Sequence, residues 1–440
     1  MKNQVRSCSD CGRSNCGSSN YGRFMILWAG SMISQIGGGL TSFGLGVYIF
    51  QQTGSAARMA LVTLLGFLPT LLLSVPAGVL ADMFDRRVLM MIGDGFSATG
   101  ILYILLCIYS GGASLWQICL GVFVSAFFSA LLEPAFKATI TDLLTPEEYT
   151  RASGLTSLAS SARYLVSPMI AGLLLVYHDI RLLLIIDICT FFVTLAATAV
   201  VRRSLAPGRT ENRENFSKNL REGWRAIHVR KGVFQLILIS SVMTMFIGVL
   251  QVLSEPLVLS FSDSKTLGAA ETVCAMGMLV TALITGITGI RKKHARILGT
   301  ALAMAGLFMI LFALRENIAL ICLSGFLFFA MLPLANSSLD YLARTNIPDE
   351  LQGRAWGFIG FLSQLGYIPA YALAGILADR TAGTLKISVG RGSALIIAVS
   401  GALLIAVSVL SLFSRRIRNL ETGEELTIPA DTQGHLQADR

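Results

Sequence analysis

"GVLADMFDRR" (residues 78–87) packs two aspartates and two arginines into ten positions. The twenty residues before it, 58–77, hold a single charge, Arg58. A charged knot this short between long apolar runs reads as the loop of a helical hairpin in a membrane. The rest of the chain repeats the pattern. Of 440 residues, 54% are hydrophobic and only 14% charged, against about 25% charged in an ordinary soluble domain. An apolar run of about 18 residues or more can cross a ~30 Å hydrocarbon core as a helix. Twelve such runs occur: Phe24–Phe50, Met59–Leu80, Val88–Tyr109, Leu115–Phe136, Leu155–Val176, Leu182–Val201, Val233–Val252, Ala269–Ile290, Ile297–Leu314, Ile318–Leu339, Gly357–Ala378 and Ala394–Phe413. Backbone facing lipid must satisfy its polar groups internally, so isolated strands are excluded and the runs are helices. The fold class is an all-α membrane protein.

The first 22 residues are polar and lack the apolar stretch of a cleavable signal, so the first span is expected to be retained. Lysines and arginines set the orientation. With the N-terminus inside, the segments on that side carry 26 of them, counted as far as Arg418, and the segments on the other side 7. Both termini are therefore expected in the cytoplasm, with the chain multi-pass in the cell's inner (plasma) membrane. The net charge of +9 is mostly this asymmetry, and no folded basic domain is present to bind nucleic acid. Cys107, Cys119, Cys189, Cys274 and Cys322 fall in or beside spans and read as packing residues. Cys8, Cys11 and Cys16 form a CxxCxxxxC cluster, one ligand short of an ordinary zinc site. His178, His228, His294 and His435 lie in loops or tails, so no metal site is expected. The chain has no GxxxxGK[ST], GxSxG or HExxH pattern. That argues against direct ATP drive and against a membrane hydrolase, and no cofactor is implied.

The longest polar interruption divides the chain into a tail (1–23), a six-span bundle (24–201), a linker (202–232), a second six-span bundle (233–413) and a tail (414–440). In the linker, Phe216, Leu220, Trp224 and Ile227 share a helical stripe, with Lys218, Arg221, Arg225 and Arg230 off it. This fits an amphipathic helix on the inner leaflet, or equally a solvated linker helix. The bundles echo each other. "TPEEYTRASG" (145–154) follows span four and "IPDELQGRAWG" (347–357) follows span ten; both run proline, two acids, a gap, then Arg-Ala-x-Gly. Arg151 and Arg354 stand 203 residues apart, and "AGLLLVYHD" (171–179) and "AGILAD" (374–379) keep that offset. Two six-span repeats with binding at their interface is a transporter plan.

The knot itself carries a resemblance. It is similar to the loop between spans two and three of the major facilitator superfamily, Gly-x-Leu-Ala-Asp-x-x-Gly-Arg-Arg/Lys. Gly78, Leu80, Ala81, Asp82, Arg86 and Arg87 match, and Asp85 replaces the glycine. The resemblance covers about residues 24–415. It implies twelve transmembrane helices as two six-helix pseudo-repeats around a central cavity. It also implies a cytoplasmic gate in which Asp82 meets the start of span eleven, with Arg354 as its charged partner. Gly78 is expected to let span two pack closely, and Arg86 or Arg87 to reach Glu133. "GILADR" (375–380) spells nearly the same letters at the opposite end of span eleven and is read as a helix terminus, not a second gate. The true repeat position, "GITGIRKKHAR" (286–296), has no aspartate. Span five resembles the antiporter pattern Gly-x8-Gly-x3-Gly-Pro-x2-Gly-Gly: Gly154, Pro168 and Gly172 match, Ser167 and Ala171 stay small, and Arg163 departs. Small residues permit close helix approach, and the pattern implies an exporter. Residues 28–55 and 68–82 resemble the twelve-span drug-efflux branch that includes the macrolide exporters.

Ionisable side chains inside a bilayer are costly and are functional candidates. At ~1.5 Å per residue, Arg163 in span five lies ~17 Å and Asp187 in span six ~21 Å from the inner face, close enough in depth to pair or to lock the two spans structurally. Gln35 in span one and Gln364 in span eleven offer hydrogen bonds to a substrate. Proton coupling needs a buried carboxylate able to exchange protons near neutral pH. Asp94, Asp187 and Glu255 are the unranked candidates, and Glu271 lies near the outer end of span eight.

The expectation is a secondary transporter that exports hydrophobic or amphipathic small molecules, such as macrolide-like antibiotics, by proton antiport with alternating access. It acts as a monomer in the lipid bilayer. The alternatives are a dedicated exporter of one endogenous product (a siderophore, a peptide natural product or a lysophospholipid) and a non-transporting membrane sensor.

Overall fold

The computed structural model describes residues 20–203, 231–290, 293–347 and 352–422. A few side chains within those ranges, including Asp82 and Arg354, lie outside the described set, as do the 216–227 stripe and the Cys8–Cys16 cluster. Every regular element among the described residues is helical. Twelve spans are present: Tyr21–Thr53, the helix Ala56–Met83, Arg86–Tyr109, Leu115–Leu143, Arg151–Tyr177, Ile180–Arg202, Gly232–Leu259, Ser264–Thr288, His294–Leu314, Ile318–Asn346, the helix pair Gln352–Gln364 and Tyr367–Leu385, and Val389–Phe413. Several run a turn or more past the apolar run, because the helix keeps its backbone bonds as it leaves the hydrocarbon.

Span starts carry the residues that satisfy orphan N–H groups. Ser55, Asp85, Asp263, Asn317 and Ser388 each accept a backbone bond from the first turn that follows. Span one ends on Gly54, whose φ of 60° closes the helix in the left-handed region that glycine enters without strain. Spans four, five and eleven are each broken in two, at residues 130–131, 166 and 365–366. Pro134, Pro168 and Pro369 follow these breaks within two or three residues. A proline has no N–H to give and disfavours helix in the residue before it. Neighbours take up carbonyls beside two of the breaks: Thr272 Oγ1 donates to Leu165 O at 2.9 Å, and Thr244 Oγ1 to Ser363 O at 2.5 Å.

Lipid gives helices no hydrophobic reason to associate, so packing rests on close backbone approach. In spans nine and twelve, a Cβ built on either Gly306 or Gly401 would come within 2.6 Å of the other's carbonyl oxygen. The largest buried cluster runs through both bundles, joining Leu40, Phe43 and Ala60 to Leu250, Leu253 and Leu267. The described chain ends share one face, called here the terminal face. There Asn20 N–H donates to Leu143 O at 3.1 Å. A final helix, Arg415–Thr422, seats Leu420 against Gly232, and the Glu421 carboxylate accepts from His294 N–H at 3.0 Å. The opposite face is called the far face.

Gly306→Val forces spans nine and twelve apart. It is expected to cost about 1–3 kcal/mol, the usual penalty of overpacking, and to lower the thermal-unfolding midpoint in detergent. Gly38→Ala, where an added Cβ meets nothing within 4 Å, is expected to leave that midpoint in place.

Candidate functional site

The two bundles meet along spans two and eleven on one side and five and eight on the other. At the far face, Asp379 of span eleven reaches into the start of span two. Ser55 Oγ donates to its Oδ2 at 2.6 Å, Ala56 N–H to Oδ1 at 3.0 Å and Ala57 N–H to Oδ2 at 3.1 Å. One turn earlier, Gly375 lies so close that a Cβ on it would strike Ala56 O. "GILADR" is therefore more than a helix terminus, and its reading as such is corrected. Its aspartate caps a helix of the other bundle, where the positive end of the helix dipole favours a carboxylate. The signal was visible in the sequence, since the Gly-x-x-Ala-Asp spelling matches the knot; its placement on the far side hid the role.

At the knot only the glycine of the same spelling can be compared, since the Asp82 side chain lies outside the described set. Gly78 stands one turn before Asp82, as Gly375 stands before Asp379, yet a Cβ on Gly78 would meet nothing within 4 Å. The close packing expected of Gly78 is absent in this arrangement. Asp85, in place of the usual glycine, caps span three by accepting from Arg87 N–H at 3.0 Å, and it faces Arg202 Nε at 3.8 Å. Arg86 does not reach Glu133. It donates to Asp142 at 2.6 Å and to Ala138 O at 2.9 Å. Glu133 instead pairs with Lys137 on its own helix at 2.6 Å, both exposed. The break in span four explains the correction: Glu133 starts a new helix and turns to solvent, and Asp142, further along that helix, faces Arg86. Arg87 is buried. The expected Asp82–Arg354 contact lies outside the described side chains.

Span five contributes its second half to the seam. A Cβ on Gly172 would strike Ser264 O, and one on Gly268 of span eight would strike Pro168 O. Gly154 has no such contact. Ser167 Oγ donates to Ile36 O at 3.0 Å and ties spans five and one together. Arg163 and Asp187 form no ion pair. Arg163 donates to Ser42 Oγ at 3.3 Å, while Asp187 is 1% exposed, with Thr190 Oγ1 at 3.4 Å. Similar depth did not bring them into an ion pair; Gly37 of span one covers Asp187, and a Cβ there would come within 2.8 Å of Oδ1. Asp94 is fully buried with both oxygens unpartnered. Gln35 donates to Ser31 of its own helix at 3.2 Å, and Gln364 is exposed at the break in span eleven.

Residues not singled out from the sequence fill the middle of the seam. Phe67 of span two packs on Tyr367 and Tyr371 of span eleven, ring centroids 5.3 and 5.5 Å apart. Tyr371 donates to Gln251 of span seven at 2.9 Å. Glu255, one turn beyond Gln251, has a buried, unpartnered Oε2 against Gly46 of span one. On the far face a cavity of ≈ 480 Å³ is lined by Phe50, Gln51, Val176, Leu259, Asp263 and Ser264. The Thr266 hydrogen bonds hold the Asp263 carboxyl below its ordinary value.

Asp379→Ala removes three acceptor contacts of the charge-assisted kind, worth about 1.5–3 kcal/mol apiece when fully formed. The separation of the bundles at the far face is expected to increase, read as a longer distance between spin labels on Arg58 and Lys386. Asp379→Asn, which keeps an acceptor oxygen, is expected to give a smaller change.

A sequence model described as the Major Facilitator Superfamily matches residues 27–371. Macrolide efflux protein A of Streptococcus pyogenes is 25% identical over 411 residues, covering 91% of this chain and 97% of that protein. The multidrug efflux pump Tap of Mycolicibacterium fortuitum is 24% identical, covering 82% of this chain and 90% of its own. Among solved structures, a bacterial homologue of the human lysosomal transporter Spinster, inward-facing and unoccupied, has a TM-score of 0.71 at 14% identity, over 92% of this chain and 99% of that one. A bacterial homologue of the iron transporter ferroportin gives 0.69 at 14% identity, over 90% and 100%. These two likenesses speak to the fold alone. The family match runs from the first span into the eleventh, well over half of the sequence, and the chain belongs to the major facilitator superfamily: it is a membrane transporter and not an enzyme.

Proposed function

We propose that this transporter exports hydrophobic or amphipathic small molecules, macrolide-like drugs among them, in exchange for protons. The observation that carries the reading is the uneven seam. Asp379, Gly375, Gly172 and Gly268 hold the bundles together toward the far face, while Gly78 of the knot stands in open space at the other end of span two. The positive-inside bias assigns the terminal face, with both chain ends, to the cytoplasm. The arrangement then corresponds to a transporter closed to the outside and ready to receive substrate from the cell. Phe67, Tyr367 and Tyr371 form an aromatic cluster at the seam, which suits flat or greasy molecules of varied shape. The names of the relatives and the Pro168–Gly172 packing on span eight support the outward direction. Alternating access would use two Gly-x-x-x-Asp pairs at opposite ends of span two, Gly375 with Asp379 engaged here and Gly78 with Asp82 taking their turn when the far face opens. Both bundles lie in one chain, so a monomer supplies the whole seam.

The test uses inverted membrane vesicles from a host without its own efflux pumps. The vesicles are energised and offered macrolides and amphipathic dyes, with and without a protonophore. Uptake of several compounds, abolished by the protonophore, is expected. Asp82→Asn is expected to slow it about tenfold or more, equivalent to ~1.4 kcal/mol of barrier. Uptake of no panel member sinks the broad-export reading in favour of a dedicated exporter.

A further inference from the structure

We propose that Glu255 of span seven, with Glu271 of span eight beside it, is the proton-binding site that couples the two bundles. The proposal rests on the antiport reading and names the groups that would carry it out.

Glu255 sits on the seam itself. Its carboxyl lies against the bare face of Gly46 in the other bundle; a Cβ there would collide with Oε2 and come within 3.2 Å of the carboxyl carbon. Oε2 is buried and has no hydrogen-bond partner. Glu271 is near enough to act on its charge. Among the described residues neither carboxylate has an ion-pair partner. A carboxyl with an acid neighbour and no cation beside it is a place where a proton can be taken up and given back. The elements around Glu255 present few other groups: Gly46 from span one, Met59 from span two, Glu271 from span eight, and Tyr371 of span eleven through Gln251.

Its place along the axis suits a coupling site. One turn outward, about 6 Å at 1.5 Å per residue, Leu259 and Phe50 line the far-face cavity, with the Asp263 carboxylate at its rim. One turn inward, Gln251 accepts from Tyr371 at the centre of the seam. Glu255 is the plug between the two, and half of the plug, Gly46, belongs to the other bundle. When the far face parts, Gly46 leaves and the pair meets outer water, where a proton from hydronium forms an O–H bond on the carboxyl. When the far face closes, that water is cut off. The O–H bond then breaks toward the central space, and the proton passes to water there. Asp187 and Asp94 lack this property. Asp187 is covered by Gly37 and Thr190 of its own bundle, and span three, which carries Asp94, packs on spans two, four and six. Parting the halves leaves both surroundings intact.

The experiment reconstitutes the full chain in proteoliposomes with labelled erythromycin as the probe. Exchange at equal pH is measured beside accumulation driven by a pH gradient. Glu255→Gln is expected to keep exchange within about twofold and to lose driven accumulation about tenfold or more, with Glu271→Gln losing it in the same direction. Gly46→Ala keeps both carboxylates but wedges a methyl group against one; it is expected to move the pH midpoint of driven accumulation by about one unit. Accumulation by both Gln variants equal to wild type, or an unmoved midpoint in Gly46→Ala, overturns the proposal and leaves antiport standing. Wild-type exchange with no response to the gradient overturns antiport and the proposal with it. If Glu255→Gln does not yield folded protein, the Gly46→Ala midpoint decides.

Discussion

Three donors at the start of span two close on one carboxylate, Asp379, that belongs to the other bundle. The closed side of the molecule hangs on this cap. A helix N-terminus has orphan N–H groups that must find acceptors, and here the acceptor comes from across the seam. The device is strong enough to hold two bundles and still reversible. Ser55 also accepts from Arg58 N–H within its own helix at 3.2 Å, so span two keeps a cap when Asp379 withdraws, and water can take the remaining donors at the membrane surface. No buried polar group is stranded by opening, which separates this latch from a buried ion pair, where losing one partner is severely costly.

The cap works only because the backbones come close. Gly375 lies one turn before Asp379 and allows span eleven to touch Ala56 and Ala57, while Gly172 and Gly268 do the same for spans five and eight. Glycine thus sets the distance and aspartate supplies the bond. The knot between spans two and three repeats the pair, Gly78 and Asp82, at the other end of span two. Among the described residues its glycine has no close neighbour in this arrangement. Glu255 against Gly46 again sets a carboxyl and a glycine from opposite bundles together, but Glu255 Oε2 has no donor, so this pair is not a latch.

Much of the site was legible at the level of residue type and depth. The small residues at 167–172 allow close helix approach, as their type implies, and the structure adds that Pro168 and Gly172 meet span eight and that Glu255 meets Gly46. Depth along a helix says nothing about which way a side chain points, and the failures come from there. Arg163 and Asp187 lie at similar depth but form no ion pair; Gly37 of span one lies over the aspartate. Glu133 was placed at the right height for Arg86, but the break after Ala130 turns it to solvent and leaves Asp142 in reach. Gln251 and Tyr371 are unremarkable in sequence and become a pair only when spans seven and eleven are packed.

By itself the sequence determined the twelve spans and their division into two bundles. Apolar length, charge bias and the doubled Gly-x-x-Ala-Asp spelling are local properties, and lipid forces a helix on any long apolar run. Only the tertiary structure decided that Asp379 caps the other bundle, which carboxylates lack partners among the described residues and which glycines are contact points. Those facts depend on the azimuth of one helix against another and on the relative tilt of the bundles. Several tilts satisfy the same sequence, as a transporter that must open to both sides requires.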